Sequence, residues 1–533
     1  MRNDGLIVSI LLLGTALYAA TLVAWAPQPF EDAAILMRYA AHVAGGHGVA
    51  WNVGEPPVDG ATDFLFLLAV AGLHRGGLPL EGAVRGLCLA SHLATVAIIY
   101  LAARRLHGAR WWMAALSAAY LAVGPGMAYT SAYFGTPFFA LLACTTWVLA
   151  TRLAAGQCSH RAAALFALSG LAMGLTRPEG VFLAALILAA VVFMRGLTRS
   201  LVPIAWFVGV FVVLGGAYFA WRWNYFGHPL PNPFYKKGGW ALHWDGLRSA
   251  LQGALRFSLP FSLPFLAAFR SREMARQAAF ALIPMAGFVA LWVLLSDEMN
   301  YHWRFQYAIQ PIFLIAWPPL VAGLFAEWRL PAWGSLAPHS RRLAAILAGL
   351  VALFVLTYHH RMARLPVLYA DGNAAVAKML REYRDNGYTM AVSEAGLLPY
   401  YSAWRTLDTW GLNDPEIARD GGITDERLDR ENPHLIAFHA YFSPLVQPIV
   451  RNAWDAMVLK LKEYAERRGY ILAAVFGETP YDTQHFYVRP DFADSAEIIA
   501  RIRATPYTQM STGRPCINYA VLPPALDTRP RDP

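Results

Sequence analysis

Two adjacent carboxylates, Glu31 and Asp32, stand just after the first long apolar run of the chain, at the head of a stretch with helical spacing. Asp32, Ile35, Leu36, Tyr39 and Val43 fall at i, i+3, i+4, i+7 and i+11, one face of an α-helix, while Glu31, Arg38 and His42 share the other. The apolar face must pack inward and carries Asp32 with it; Glu31 is expected to stay beside Arg38 and solvent. Acids in a first helical turn are favoured by the helix dipole by ~0.3–1 kcal/mol, so their position alone does not mean chemistry. An acid on the buried stripe does point to it, since such a carboxylate can serve as general base toward a hydroxyl.

Further polar residues stand where they are costly. Thr176-Arg177-Pro178-Glu179-Gly180 splits an apolar stretch into two expected half-length helices, with Arg177 either paired to Glu179 or facing a phosphate. Lys236 and Lys237, in Tyr225–Gly239, are either solvated loop residues or contacts for an anionic lipid. Asp297, Glu298, His302 and Arg304 precede another apolar run. The loop Gly45–Asp63 is rich in Gly, Pro and acids and contains Trp51; it reads as a cavity wall rather than a plain connection. Acids suit hydroxyl activation, bases a phosphate leaving group, aromatics a sugar face.

These residues are set among apolar runs. The chain has 533 residues, 57% hydrophobic and 15% charged, where a soluble domain carries about 25% charged residues. Eleven runs approach the ~20 residues of a bilayer span: Gly5–Trp25, Val84–Ala102, Trp111–Val123, Pro137–Thr151, Ala162–Thr176, Pro178–Met194, Leu201–Trp221, Ser258–Phe269, Gln277–Leu295, Phe305–Phe325 and Leu343–Tyr358. Thr62–Leu73 is too short to cross and is expected to be interfacial or re-entrant. The first run is expected to be an uncleaved anchor rather than a signal peptide.

Clusters such as Arg104-Arg105, Arg152, Arg195, Arg270 and Arg341-Arg342 fall on one side, which the positive-inside rule makes cytoplasmic. The acid pair, Arg177, the two lysines, Asp297–Arg304 and everything after His359 fall on the other. The net charge of +9 is spread over these short clusters, which argues against a nucleic-acid face. Four isolated cysteines give no disulfide framework, and the lack of any Asn-x-Ser/Thr sequon favours a prokaryotic inner membrane.

The expected architecture is a polytopic α-helical membrane protein of about eleven spans with a C-terminal extracytoplasmic α/β domain. Residues 1–359 form the membrane core, with a first outer loop at 26–63. Residues 360–523 alternate short apolar bursts (Thr389–Val392, Leu435–His439, Ile471–Phe476, His485–Val488) with helical periodicity at Asn373–Tyr383 and Trp454–Arg468, and 524–533 form a disordered tail.

The motifs carry a resemblance. Glu31–Asp63, with its acid pair, Ala-x-Ile-x-x-Arg-Tyr, Gly-x-Gly and Asn-x-Gly-Glu, resembles the first-loop signature of one branch of the C-type (GT-C) glycosyltransferases. Arg177-Pro178-Glu179-Gly180, Pro229-Leu230-Pro231-Asn232 with Phe234-Tyr235-x-Lys237, Asp297-x-Met299 with Arg304-Phe305, and Glu394–Asp414 resemble further segments of it, in order. That branch includes cell-wall arabinofuranosyltransferases. The resemblance implies a multi-span core, a catalytic acid in the first outer loop and a polyprenyl-phosphate sugar donor. Two departures stand out: Glu31-Asp32 replaces the usual Asp-Asp, and Gly135 stands before Thr136-Pro137 where the branch tends to have an acid.

The expectation is therefore a bacterial inner-membrane glycosyltransferase. It moves one sugar, such as arabinofuranose, from a polyprenyl phosphate to a glycan, lipid or protein acceptor on the periplasmic side. Asp32 is expected as base with Glu31 assisting. Arg177, Lys236, Lys237 and Arg304 would hold the donor phosphate, and Trp51, Glu179, Tyr235, Asp297, His302 and Glu394 would contact substrate. No cofactor is required; a divalent metal fits the resemblance, although no ligand spacing demands one. The rivals are a flippase for lipid-linked sugars and a catalytically silent glycan-binding scaffold. Both leave the buried acid unexplained.

Overall fold

The computed structural model describes residues 2–238, 241–259, 261–327, 337–362 and 369–521. The expected tail at 524–533 lies outside the described residues. The N-terminal part is helical: α1 (Arg2–Thr21), α2 (Glu31–Ala44), α3 (Phe64–Arg75), α4 (Leu80–His107), α5 (Trp111–Ala122), α6 (Pro125–Ser131), α7 (Thr136–Ala154), α8 (His160–Thr176) and α9 (Glu179–Arg195) are followed by further helices up to Pro338–Met362. Local chemistry sets several ends. Gly108, at φ 61°, closes α4; Pro137 occupies the first turn of α7; the Ser159 hydroxyl accepts from the Ala162 N–H to open α8.

Seven of the described helices are long and apolar enough to cross a bilayer: Asn3–Thr21, Leu80–His107, Thr136–Ala154, Thr198–Phe226, Arg272–Leu291, Tyr301–Leu324 and Pro338–Arg361. Their outward faces expose large apolar side chains such as Leu13, Val212, Leu347 and Phe354, as lipid requires. The protein is a multi-pass membrane protein.

Not all of the eleven apolar runs form full-length helices. Ser258–Phe269 is broken: one helix ends at Ser258 and a six-residue helix, Leu263–Ala268, follows. α5 has only 12 residues. α8 and α9 are not half-length; each has 17 residues, and they form a hairpin at Arg177-Pro178. The turn is tight because Gly180 lies against the Met173 carbonyl, where any side chain would collide. α3 is a 12-residue apolar helix, too short to span, as expected of Thr62–Leu73.

The C-terminal part contains a mixed sheet of β1 (Thr389–Val392), β2 (Arg405–Asp408), β3 (Leu435–Ala440), β4 (Ile471–Thr479), β5 (Asp482–Val488) and β6 (Ile517–Asn518), in the order β2-β1-β3-β5-β4-β6. β1 is parallel to β2 and β3, and the other pairings are antiparallel. Side chains alternate between two cores, as a two-residue period dictates. Leu435 and Ala437 of β3 and Phe486 and Val488 of β5 face a core continuous with the helix bundle. Ile436, Phe438 and Tyr487 face a second, which includes Leu461 and Tyr464 of the helix Ala453–Arg467.

The sheet unit is fastened to the bundle through α2 and the loop after it. Arg38 is buried and donates to the carbonyls of Trp51 (2.9 Å), Pro399 (2.5 Å) and Trp404 (2.9 Å) and to Asn52 Oδ1 (3.0 Å). The expectation of a solvent-facing Arg38 is therefore corrected: the face opposite Asp32 is covered by the sheet unit. Trp51 Nε1 and Asn52 Nδ2 both donate to the Thr406 carbonyl on β2 (2.9 and 3.1 Å). Tyr39 donates to Asn413 Oδ1 (3.0 Å).

A candidate active site around Asp32

Helix α2 starts directly under the sheet unit, and its two acids go different ways. The Glu31 carboxylate accepts from the backbone N–H groups of Gly396 (2.5 Å) and Leu397 (3.1 Å). Gly396 is required there, since a Cβ would collide with the Glu31 carbonyl. Glu31 is thus not beside Arg38 and solvent, as expected, but clamped between α2 and the segment following β1. Burial, and then the nearby charge of Glu394, raise its carboxyl well above the usual range.

Asp32 instead meets Arg304. Arg304 Nη2 donates to Asp32 Oδ2 at 2.5 Å, both residues being largely buried. The guanidinium lies 3.9 Å from the ring centre of Phe134 and 4.9 Å from that of Phe305, which fixes its plane. Its Nε is buried and has no partner among the described residues. Arg177 is more fully paired: it donates to Asp63 (2.9 Å) and Glu179 (2.6 Å) and lies over Phe305 at 4.7 Å. Burial raises the Asp63 carboxyl, against the pull of Arg177. Asp63 was not anticipated as part of the site, although it ends the Gly45–Asp63 loop that was read as a cavity wall.

Two cavities meet at Asp32. The first, of about 120 Å³, is lined by Asp32, Asp63, Arg177, Lys237 and Arg304, with Tyr133, Phe134 and Phe305 among its apolar walls. Lys237 Nζ has only a long contact there, to the Glu298 carbonyl at 3.3 Å. The second, of about 150 Å³, lies between α2 and the sheet unit and is lined by Glu31, Asp32, Glu298, Asp371, Glu394 and Asp408 with Trp410 and Trp454. Asp32, Ile35 and Leu412 belong to both. Among the described lining residues the first cavity carries Arg177, Lys237 and Arg304 and the second carries no Lys, Arg or His, with the Asp32 carboxylate on the shared wall.

The remaining expected residues divide between these cavities and other surroundings. Glu394 lines the second cavity, with Asn373 Nδ2 at 3.4 Å. Glu179 is buried beneath Arg177. Lys236 is turned away from Lys237, its ammonium 4.0 Å over the Trp410 ring. Tyr235 packs edge-on to Phe234 and, like Asp297, lines neither cavity. His302 contributes its carbonyl, which accepts from the Tyr129 hydroxyl (2.6 Å). Trp51 is 2% exposed and locked in the joint, so the expected stacking surface is not offered.

Met299, His302 and Trp303 all adopt positive φ (64°, 49° and 58°) in the turn that delivers Arg304. Strain held in side-chain-bearing residues beside a cavity is typical of functional loops. Asp371, Asp408, Trp410 and Trp454 were not anticipated; only the folding of the sheet unit onto α2 brings them to Asp32. Among the described residues no group of three or more His, Cys, Asp or Glu side chains is placed to hold a metal ion.

Residues 358–493 match a family model described as a domain of unknown function (DUF8728). No curated protein matches the sequence. Solved structures similar to the chain include ArnT from Cupriavidus metallidurans in the apo state, 14% identical with a TM-score of 0.58 over 90% of this chain and 97% of that one. The same protein bound to undecaprenyl phosphate is 12% identical, with a TM-score of 0.55 over the same shares. The arabinofuranosyltransferase AftD from Mycobacteria is 17% identical, with a TM-score of 0.51. That match covers 91% of this chain but 41% of AftD, a much longer protein. The chain thus shares the fold of ArnT and of the matched part of AftD.

Proposed function

We propose that the protein is a membrane glycosyltransferase that moves a single sugar from a polyprenyl phosphate to a hydroxyl-bearing acceptor on the periplasmic side of a bacterial inner membrane. The observation that carries this reading is the position of Asp32 on the wall shared by a basic cavity and an acidic, aromatic one. A transferase needs a place for a phosphate leaving group, a place for an acceptor and a base between them. The likeness to structures titled as an arabinofuranosyltransferase and as binding undecaprenyl phosphate supports a polyprenyl-phosphate donor, with a pentofuranose such as arabinofuranose as the sugar.

In this reading the donor phosphate enters the cavity of Arg177, Lys237 and Arg304. The cavity and the ion pairs within it hold three cations against Asp32, Asp63 and Glu179. An incoming anion must therefore compete with a carboxylate already in place. Arg304 is the cation that can exchange: among the described residues its one carboxylate partner is Asp32 and its Nε has no partner, whereas Arg177 is held by two acids. Transfer of Arg304 from Asp32 to the phosphate frees the Asp32 carboxylate toward the second cavity.

The acceptor hydroxyl then gives its proton to Asp32 while its oxygen bonds to the anomeric carbon, and the bond from that carbon to the phosphate oxygen breaks. The charge left on the polyprenyl phosphate is met by Arg304 and Lys237. A flippase would need the same basic cavity but no carboxylate facing a second one.

The test is binding of undecaprenyl phosphate to the purified protein. Arg304→Gln should weaken it about tenfold to a hundredfold, as loss of a charge-assisted contact to phosphate does, and Asp32→Asn should strengthen it by removing the competing carboxylate. Unchanged affinity in both variants contradicts this site.

A further inference from the structure

The second cavity makes a statement about the acceptor. Its described lining contains no Lys, Arg or His side chain. Three of its carboxylates are already committed to backbone amides. Glu31 accepts from Gly396 and Leu397, Asp371 from Asn373 (2.6 Å), and Asp408 from Trp410 and Gly411 (3.0 Å each). Among the described residues Glu394 has one hydrogen bond, at 3.4 Å from Asn373, with His439 nearby, and Glu298 also lines the cavity.

Trp410 and Trp454 stand on its wall with ring centres 5.2 Å apart, and Ser393 and Asn373 add short polar side chains. The Trp410 indole N–H is buried without a partner among the described residues. The lining thus offers several carboxyl groups, able to hydrogen-bond hydroxyls, and aromatic surface. A volume of about 150 Å³ is that of a cavity able to hold one six-membered ring.

Resting on the transferase reading above, we infer that this cavity is the acceptor subsite and that it takes a polyhydroxyl sugar bearing no anionic group. Sugar hydroxyls hydrogen-bond to Glu298 and Glu394, and a sugar face packs on Trp410 and Trp454. A phosphate or carboxylate on the acceptor would find no Lys, Arg or His among the described lining residues, the Lys236 ammonium being stacked on the Trp410 ring, so its charge would be buried without a partner, which disfavours it. The basic cavity across Asp32 has the opposite preference, so the two substrates cannot exchange places.

The experiment is calorimetric titration of the full-length protein with neutral gluco-, manno-, galacto- and arabino-oligosaccharides. Each is set beside its counterpart carrying a terminal phosphate or uronic acid, with undecaprenyl phosphate as a separate titrant. At least one neutral sugar should bind about tenfold or more tightly than its acidic counterpart. Glu394→Gln should narrow that ratio while leaving undecaprenyl phosphate binding unchanged. Acidic sugars that bind as well as neutral ones overturn the inference. So does a protein that binds undecaprenyl phosphate but no neutral sugar. Failure to bind undecaprenyl phosphate overturns instead the transferase reading on which the inference rests.

Discussion

At the scale of the residue, the acid pair splits one task into two. Asp32 faces substrate space, and Glu31, its sequence neighbour, is spent on holding the sheet unit by two backbone amides. Glutamate at the first position is therefore intelligible: it has the reach to accept from Gly396 and Leu397, and its charge is not what the contact needs. Glu31→Gln, which keeps an acceptor oxygen, should retain most transfer activity. Glu31→Ala, which leaves two buried amides unsatisfied, should lower thermal stability by about 1–3 kcal/mol and depress activity. Equal loss in both variants would assign Glu31 to the chemistry. The sequence showed that one acid of the pair lay on a buried stripe. It could not show what covers the opposite face, because Gly396 is 365 positions away.

At the scale of the element, the departure at Gly135 has a packing cause. A Cβ there would stand 2.7 Å from the buried Phe66 ring of α3, so the start of α7 has no room for the acid that the resemblance leads one to expect. Gly135→Asp should cost about 2–5 kcal/mol through overpacking and a buried charge, read as reduced yield and a lower Tm. A well-folded variant with raised activity would contradict this account.

Helices and strands were legible wherever an apolar burst or a helical period stood apart from its surroundings. The bursts at Thr389–Val392 and Leu435–His439 and the helical pattern at Trp454–Arg468 became β1, β3 and the helix Ala453–Arg467 almost residue for residue. Elements embedded in a uniformly apolar or mixed stretch were not. Ser258–Phe269 is apolar along its length, but the helix stops at Ser258, and apolarity alone does not register where a helix ends. β2 is only four residues long and sits inside a motif read for its chemistry.

At the scale of the whole molecule, the site exists because two halves of the chain meet across α2. The same junction should respond to pH. Burial pushes the Asp371 carboxyl up to about 7 from its ordinary 3.8, despite the Asn373 amide, and burial likewise raises Glu394. A carboxyl whose folded pKa lies above its unfolded value contributes stability at low pH and loses it as pH rises through the folded value. Thermal stability of the purified protein should therefore decline from about pH 5 to about pH 7 and then level off, and Asp371→Asn should flatten that slope. A stability that rises over the same range would show these carboxyls to be better paired than the geometry allows. None of this could be read from composition: the membrane character was plain from the apolar runs, but the acidic cavity is assembled from residues between Phe30 and Met510.

The most direct test of the central claim is sugar release from a panel of polyprenyl-phosphate sugars by the purified protein, wild type beside Asp32→Asn. The account predicts turnover of one donor, reduced about 10²- to 10⁴-fold in the variant, as for loss of a general base, with donor binding retained. Undiminished turnover in Asp32→Asn would contradict it, and so would donor binding without turnover in either protein in the presence of neutral acceptors.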